Sequence, residues 1–368
     1  MTIVVASAAW LLVLPCGILA QPDPKIMERF EEVRARMRAG ETVTAAEQEF
    51  IKKVQAELNE DYVKKNPPRE STGLVPLCDL GKGTYKGEEG GLYPGGDNAP
   101  PPAHLKLGMA ASRQVVPRDP QGRPSQEGKI VLLSIGMSNT TMEFQVFLKR
   151  AAGDKTLNPH LVPVDGAQGG QGADVTAMPH ARFWSVVDER LAAAGVSGAQ
   201  VQAVWIKQAY FGPWRQFPGE PKKMQGLLIA TLHNVHDRFP NLRIAYLSSR
   251  IYAGYATAAL NPEPHAYESA FAIKWIIRDQ MAGNPELNCD PSRGAVRAPW
   301  VAWGPYLWAD GVKGRKDGLV YVSDDMAISD RTHPSLSGRE KVVKLLLDFF
   351  KHDPTSRPWF VSSQRSLR

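Results

Sequence analysis

From residue 129 to residue 352 the sequence alternates short apolar runs with amphipathic ones, and this alternation limits the possible folds more than any other feature. Residues 129–134 read as a buried strand, followed by a helix through Phe144, Phe147 and Leu148. Strands at 161–164, 201–206, 242–247 and 300–303 then alternate with helices at 182–194, 224–239, 267–281 and 342–350. A chain of repeated strand–helix units closes its hydrogen bonds as a parallel sheet with helices on both faces, a three-layer α/β/α sandwich. In such sheets ligands bind beyond the carboxyl ends of the strands, so chemistry is expected in the loops after Ser134, Val164, Ile206, Leu247 and Trp303.

The flanking regions are different in character. Residues 1–20 carry no charge, are too short to cross a bilayer comfortably and end in Ala20, which reads as a secretory signal peptide; export would be to the periplasm or beyond, with no stable membrane span once it is removed. Pro15 before Cys16 speaks against lipidation. Export leaves Cys78 and Cys289, which an oxidising compartment would allow to pair, although no spacing signature decides whether they do. Residues 21–66 form a helical arm: Ile26, Phe30, Val33 and Met37 recur at helical spacing, Gly40 stops the run, and Thr44 with Glu47 makes a capping box for a second run through Phe50, Val54 and Leu58. Residues 67–128 are Gly/Pro-rich and predict extended structure, and residues 353–368 predict a solvated tail. The net charge of +6 over 368 residues is modest and partly sits at the C-terminus, so no nucleic-acid partner is indicated.

Two top-face loops carry groups that can act as a pair. After the first strand stands Gly136-Met137-Ser138-Asn139, and the Thr140/Glu143 spacing predicts a capped helix start that would place Ser138 at a positive helix end. Before the last helix, which the Ser337/Glu340 spacing predicts to be capped in the same way, stands Asp330-Arg331-Thr332-His333-Pro334. A carboxylate on one ring nitrogen fixes the histidine tautomer and leaves the other nitrogen free to take a proton from a serine. Alone, a serine before a helix is usually a turn residue, and an isolated D-x-x-H is usually a surface pair. His233 and His236 have no third ligand nearby, so no metal site is predicted. A glycosidase reading of Glu263 and Glu268 would leave Asp330 and His333 without a role.

Taken together, the Ser138 turn and the terminal D-x-x-H-P in this setting resemble the SGNH/GDSL hydrolases, a flavodoxin-like esterase family, over roughly residues 129–351. The resemblance implies Ser138 as nucleophile, His333 as general base and Asp330 as its orienter, with no cofactor. The usual G-D-S is here Gly136-Met137-Ser138, without the Asp. The family's oxyanion hole uses the nucleophile's N–H, a glycine and an Asn side chain. The glycine would be Gly169 or Gly170 in the loop after the second strand. Where the third block expects G-x-N-D this chain has Lys207-Gln208-Ala209-Tyr210, so Gln208 would have to serve as the side-chain donor, somewhat as in the W-x-Q-G-E block of sialate O-acetylesterases.

Two further loops carry aromatic residues among polar ones: Arg250, Tyr252, Tyr255 and Glu263 in the first, Trp303, Tyr306, Trp308 and Asp310 in the second. Aromatic faces beside charged groups suit a sugar, so these residues are expected to bind substrate, although rings in Gly/Pro loops also form ordinary loop cores. The expected function is hydrolysis of short acyl esters, acetyl above all, on a small molecule or polysaccharide. The competing reading is a non-catalytic glycan-binding or surface protein on the same fold.

Overall fold

The computed structural model describes residues 23–210 and 215–362. The expected signal peptide, with Cys16, lies outside the described residues. Along the chain run helices α1 (Pro24–Ala39), α2 (Ala45–Lys65) and α3 (Pro102–Ser112), strand β1 (Ile130–Gly136), α4 (Ser138–Ala152), β2 (Leu161–Asp165) and α5 (Arg182–Ala193). There follow β3 (Val201–Lys207), α6 (Gly219–Arg238), β4 (Ile244–Leu247), α7 (His265–Met281), β5 (Trp300–Trp303) and α8 (Leu336–His352). All five strands are parallel and lie in the order β2-β1-β3-β4-β5, the flavodoxin-like 2-1-3-4-5 arrangement. Helices cover both faces of the sheet, so β1 and β3 are buried along their whole length, as their near-continuous apolar sequences require. The connection reverses between β1 and β3, which opens a crevice at their carboxyl ends, between Ser138 and Gln208.

Two departures from the sequence reading bear on function. Residues 67–128 are a tightly packed cover, not merely extended chain: Leu77, Leu92 and Tyr93 enter the main core, His104 Nε2 pairs with the Val301 carbonyl at 2.9 Å, and Gly108 lies so close to the Trp300 ring that a Cβ would stand 2.3 Å from it. The C-terminal segment is no solvated tail as far as Val361, because Trp359 and Phe360 are buried against Phe350 and Phe147. Fully burying a large apolar side chain is worth about 2–3 kcal/mol, and two of them outweigh the basic residues nearby. Both cysteines are free, half-buried thiols; burial pushes Cys78 up to about 12 and Cys289 up to about 11.

The arm does form the expected helical pair. Gly40 ends α1 at φ 84°, and the Thr44 and Glu47 side chains each bond the other's backbone N–H. Its small core of Met27, Phe30, Val33, Ile51 and Val54 also takes in Leu260 from the loop after β4. The Ala259 N–H donates to Asn59 Oδ1 at 3.0 Å, and Glu31 pairs with Lys223 at 2.8 Å, so the arm is docked on the loops at the carboxyl end of the sheet. No helix among the described residues is long and apolar enough to cross a membrane.

Candidate active site

Ser138 is the first residue of α4, directly after Met137 in extended conformation. First-turn N–H groups of a helix have no intrahelical partner, so the serine's own N–H is available to an anion. The helix start is not held by the expected capping box. Thr140 Oγ1 donates instead to the Lys207 carbonyl at 2.6 Å, and Glu143 turns inward to Lys207 Nζ at 2.5 and 2.6 Å. These bonds tie the first turns of α4 to the end of β3. A Cβ on Gly136 would stand 2.3 Å from the Lys207 carbonyl oxygen and from Thr140 Oγ1, so the strand end can pass this close only as glycine. Burial pushes the Glu143 carboxyl up and the Lys207 ammonium down, each opposed by the charge of the other.

The loop before α8 brings the other two residues to Ser138. The Ser138 hydroxyl donates to His333 Nε2 at 2.7 Å, and His333 Nδ1–H donates to Asp330 Oδ2 at 2.5 Å. Asp330 Oδ1 accepts the backbone N–H groups of Thr332 and His333 at 2.9 and 3.0 Å. Burial alone would raise the Asp330 carboxyl, but these two N–H groups and the imidazole hold it below the usual carboxylate range. An ionised Asp330 keeps the proton on Nδ1 and leaves Nε2 as the acceptor for the serine. Two contacts that sequence reasoning missed hold the loop: Asn139 Nδ2 donates to the Thr332 carbonyl at 3.2 Å, and Thr257 donates to the Asp330 carbonyl through both its N–H and its hydroxyl. Only the position of Asn139 beside Ser138 hinted at the first; nothing local to Thr257 announced the second. The expected capping box on α8 is also absent, since Ser337 bonds Asp324 and Asp325 while Glu340 pairs with Arg150.

Of the two candidate glycines, Gly169 stands beside the nucleophile, its Cβ position 4.0 Å from Ser138 Cβ, whereas that of Gly170 has nothing within 4 Å. They occupy a turn closed by the Gln171 N–H on the Gln168 carbonyl, with Gly170 at φ 73° as the third residue of a type II turn requires. Gln208 does not fill the side-chain position expected of it. Its amide donates to the Gln171 carbonyl at 3.2 Å and to Thr176 Oγ1 at 3.3 Å, and its oxygen accepts the Ala209 N–H, so its hydrogens serve the glycine loop.

The expected sugar-binding aromatics form a core, not an open face. Tyr252, Trp303, Tyr306 and Trp308 are buried; the Tyr252 hydroxyl donates to the Arg69 carbonyl, Trp303 Nε1 to that of Leu92 and Trp308 Nε1 to Glu263, while the Tyr306 hydroxyl accepts the Leu77 N–H. Asp310 accepts from Ser71, Thr72 and Gly73. Arg250 and Glu263 are buried too, Glu263 spending its other contacts on the Ala253 and Tyr267 N–H groups. Residues 67–128, folded over these loops, supply most of the partners. Glu268 is buried on Tyr85 and Lys86, and His233 bonds the Glu286 carbonyl; no group of metal-ligating side chains occurs among the described residues.

No protein-family model matches this chain, and no curated protein matches it. Solved structures similar to this chain at low identity include an acylhydrolase and an acyltransferase. One is a proposed acylhydrolase from Bacteroides fragilis, at 12% identity and a TM-score of 0.32, covering 68% of this chain and 97% of that one. The other is the salicylyl-acyltransferase SsfX3 of a tetracycline biosynthetic pathway, at 14% identity and a TM-score of 0.32, covering 63% of this chain and 58% of that one.

Proposed function

We propose that this chain is a serine ester hydrolase working through an acyl-enzyme on Ser138. The observation that carries the reading is the unbroken relay Asp330–His333–Ser138, with bonds of 2.5 and 2.7 Å. His333 Nε2 takes the hydroxyl proton as Ser138 attacks the ester carbonyl, and Asp330 stabilises the imidazolium that forms. The tetrahedral oxyanion rests on the N–H groups of Ser138 and Gly169. His333 then returns its proton to the leaving alcohol and activates water for deacylation.

This constellation, with a glycine loop after the second strand, keeps the SGNH-type reading as the best account of the sequence, with the side-chain donor to the oxyanion unfilled by Gln208. The preferred substrate is a short acyl ester, acetyl first, on a polar alcohol such as a sugar. The buried aromatics lend that alcohol no support. Turnover of nitrophenyl acetate, followed by a series from acetate to octanoate, tests the reading. Activity falling with chain length, with acetate released from acetylated glycans, is expected. No ester turnover at all would leave the glycan-binding alternative, and activity rising steadily to octanoate would replace the acetylesterase with a lipid esterase.

A further inference from the structure

The loop between β4 and α7, residues 248–264, has no helix or strand of its own, so its course is set by what it touches. Two of its contacts, two residues apart, tie it to different parts of the protein. Thr257 meets the catalytic loop, its N–H and hydroxyl donating to the Asp330 carbonyl at 3.2 and 3.0 Å. Ala259 meets the arm: its buried N–H donates to Asn59 Oδ1 of α2 at 3.0 Å, and Leu260 beside it packs on the core shared by α1 and α2. The arm also reaches the other wall of the crevice, where α1 packs against the helical turn Ala173–Thr176 that follows the glycine loop.

The path from the arm to the nucleophile is continuous. It runs from Asn59 to Ala259, back along the chain to Thr257, across to Asp330 and through His333 to Ser138, with every hydrogen bond between 2.5 and 3.2 Å. Among the described residues, every other hydrogen bond of Asp330 is made within residues 327–333, so Thr257 alone ties Asp330 directly to another part of the fold.

We propose that the helical arm is a positioning element of the active site, acting on Asp330 through Ala259 and Thr257. The proposal rests on the ester-hydrolase reading and assigns Asn59 and Thr257 as positioning residues, which set where the Asp330 carboxylate meets His333. A small misplacement there lowers the rate of proton transfer and leaves substrate binding as it was. Because His333 serves both acylation and deacylation, the loss falls on kcat.

The test uses the full chain with nitrophenyl acetate. Thr257→Val removes the hydroxyl and Thr257→Ser keeps it; Asn59→Ala removes the acceptor and Asn59→Asp keeps it. Thr257→Val and Asn59→Ala should each lower kcat about three- to tenfold at unchanged KM and without loss of fold by circular dichroism, the range that one hydrogen bond allows. Thr257→Ser and Asn59→Asp should stay within about twofold of the unsubstituted protein. In Asn59→Ala/Thr257→Val the combined loss should fall short of the product of the two, because both changes interrupt the same path. An unchanged kcat in Thr257→Val, a loss confined to KM, or no rescue by Thr257→Ser would overturn the positioning role. An unchanged kcat in Asn59→Ala, no rescue by Asn59→Asp, or losses that multiply in the double variant would overturn the arm's part in it. Absence of ester turnover by the unsubstituted protein would instead refute the hydrolase reading on which the proposal rests.

Discussion

Replacing Lys207 by Met would expose how much the nucleophile's helix depends on the buried pair beneath it. Glu143 and Lys207 are 0% and 3% exposed, and both carboxylate oxygens lie within 2.6 Å of the ammonium. Removing the ammonium leaves a carboxylate in the interior with no bonded partner, a change that costs about 3–5 kcal/mol. At roughly 2–4 °C per kcal/mol, Tm at pH 7 should fall by about 6–20 °C. The loss should depend on pH with a definite sign. Burial already raises the Glu143 carboxyl, and without Lys207 nothing bonded opposes that shift, so the folded variant binds a proton that the unfolded chain releases. Stability of Lys207→Met therefore falls as pH rises above the ordinary carboxyl range, and the deficit against the parent narrows toward pH 4. Thermal melts of both proteins from pH 4 to 8 measure this, and the double variant Glu143→Met/Lys207→Met should recover most of the loss. A single variant less than about 1 kcal/mol below the parent, or a deficit independent of pH, would refute the assignment of a buried, mutually dependent pair.

Other expectations follow from the same contacts. Ser138→Ala and His333→Ala should each lower kcat by about 10⁴–10⁶ without loss of fold, and Asp330→Asn should leave a residue of activity through a mis-set tautomer, all read by ester kinetics beside circular dichroism. Gly169→Pro, which a type II turn accepts at its second position, removes the proposed oxyanion N–H and should cost about 10²–10³ in kcat, whereas Gln208→Ala should cost less than about tenfold because its amide is spent on Gln171 and Thr176; equal losses would reverse the assignment. Both thiols, with pKa values pushed up to about 12 and about 11, should react slowly with thiol reagents at pH 8 until the protein is unfolded. Phe30→Ala should loosen the arm from Leu260 and raise its cleavage by protease while the main sheet stays protected against hydrogen exchange.

The sequence made the sheet legible because β1 and β3 are buried on both faces and so read as apolar runs, with boundaries off by a residue or two. Ser138, Asp330 and His333 were legible because turn and loop residues of those types, placed after the first strand and before the last helix, have few other reasons to stand there together. The capping boxes misled at two of three places. Thr44 and Glu47 have only each other, whereas Thr140 and Glu143 are drawn to Lys207, and Glu340 is drawn to Arg150, by contacts distant in sequence. The aromatic loops misled for the same reason. A Tyr or Trp in a Gly/Pro loop reads alike whether it faces solvent or lies under another segment, and the covering segment here begins more than 180 residues before Tyr252 and Trp308.

The central claim is a covalent acyl intermediate on one residue. It is tested by mixing the protein with nitrophenyl acetate, quenching in acid within the first turnover, and locating any added acetyl group by mass spectrometry of peptides. The account predicts one acetyl on Ser138, formed in a burst, accumulating more slowly in Asp330→Asn and absent from Ser138→Ala and His333→Ala. An ester hydrolysed with no adduct on Ser138, or an adduct that persists on another residue after Ser138→Ala, would contradict it.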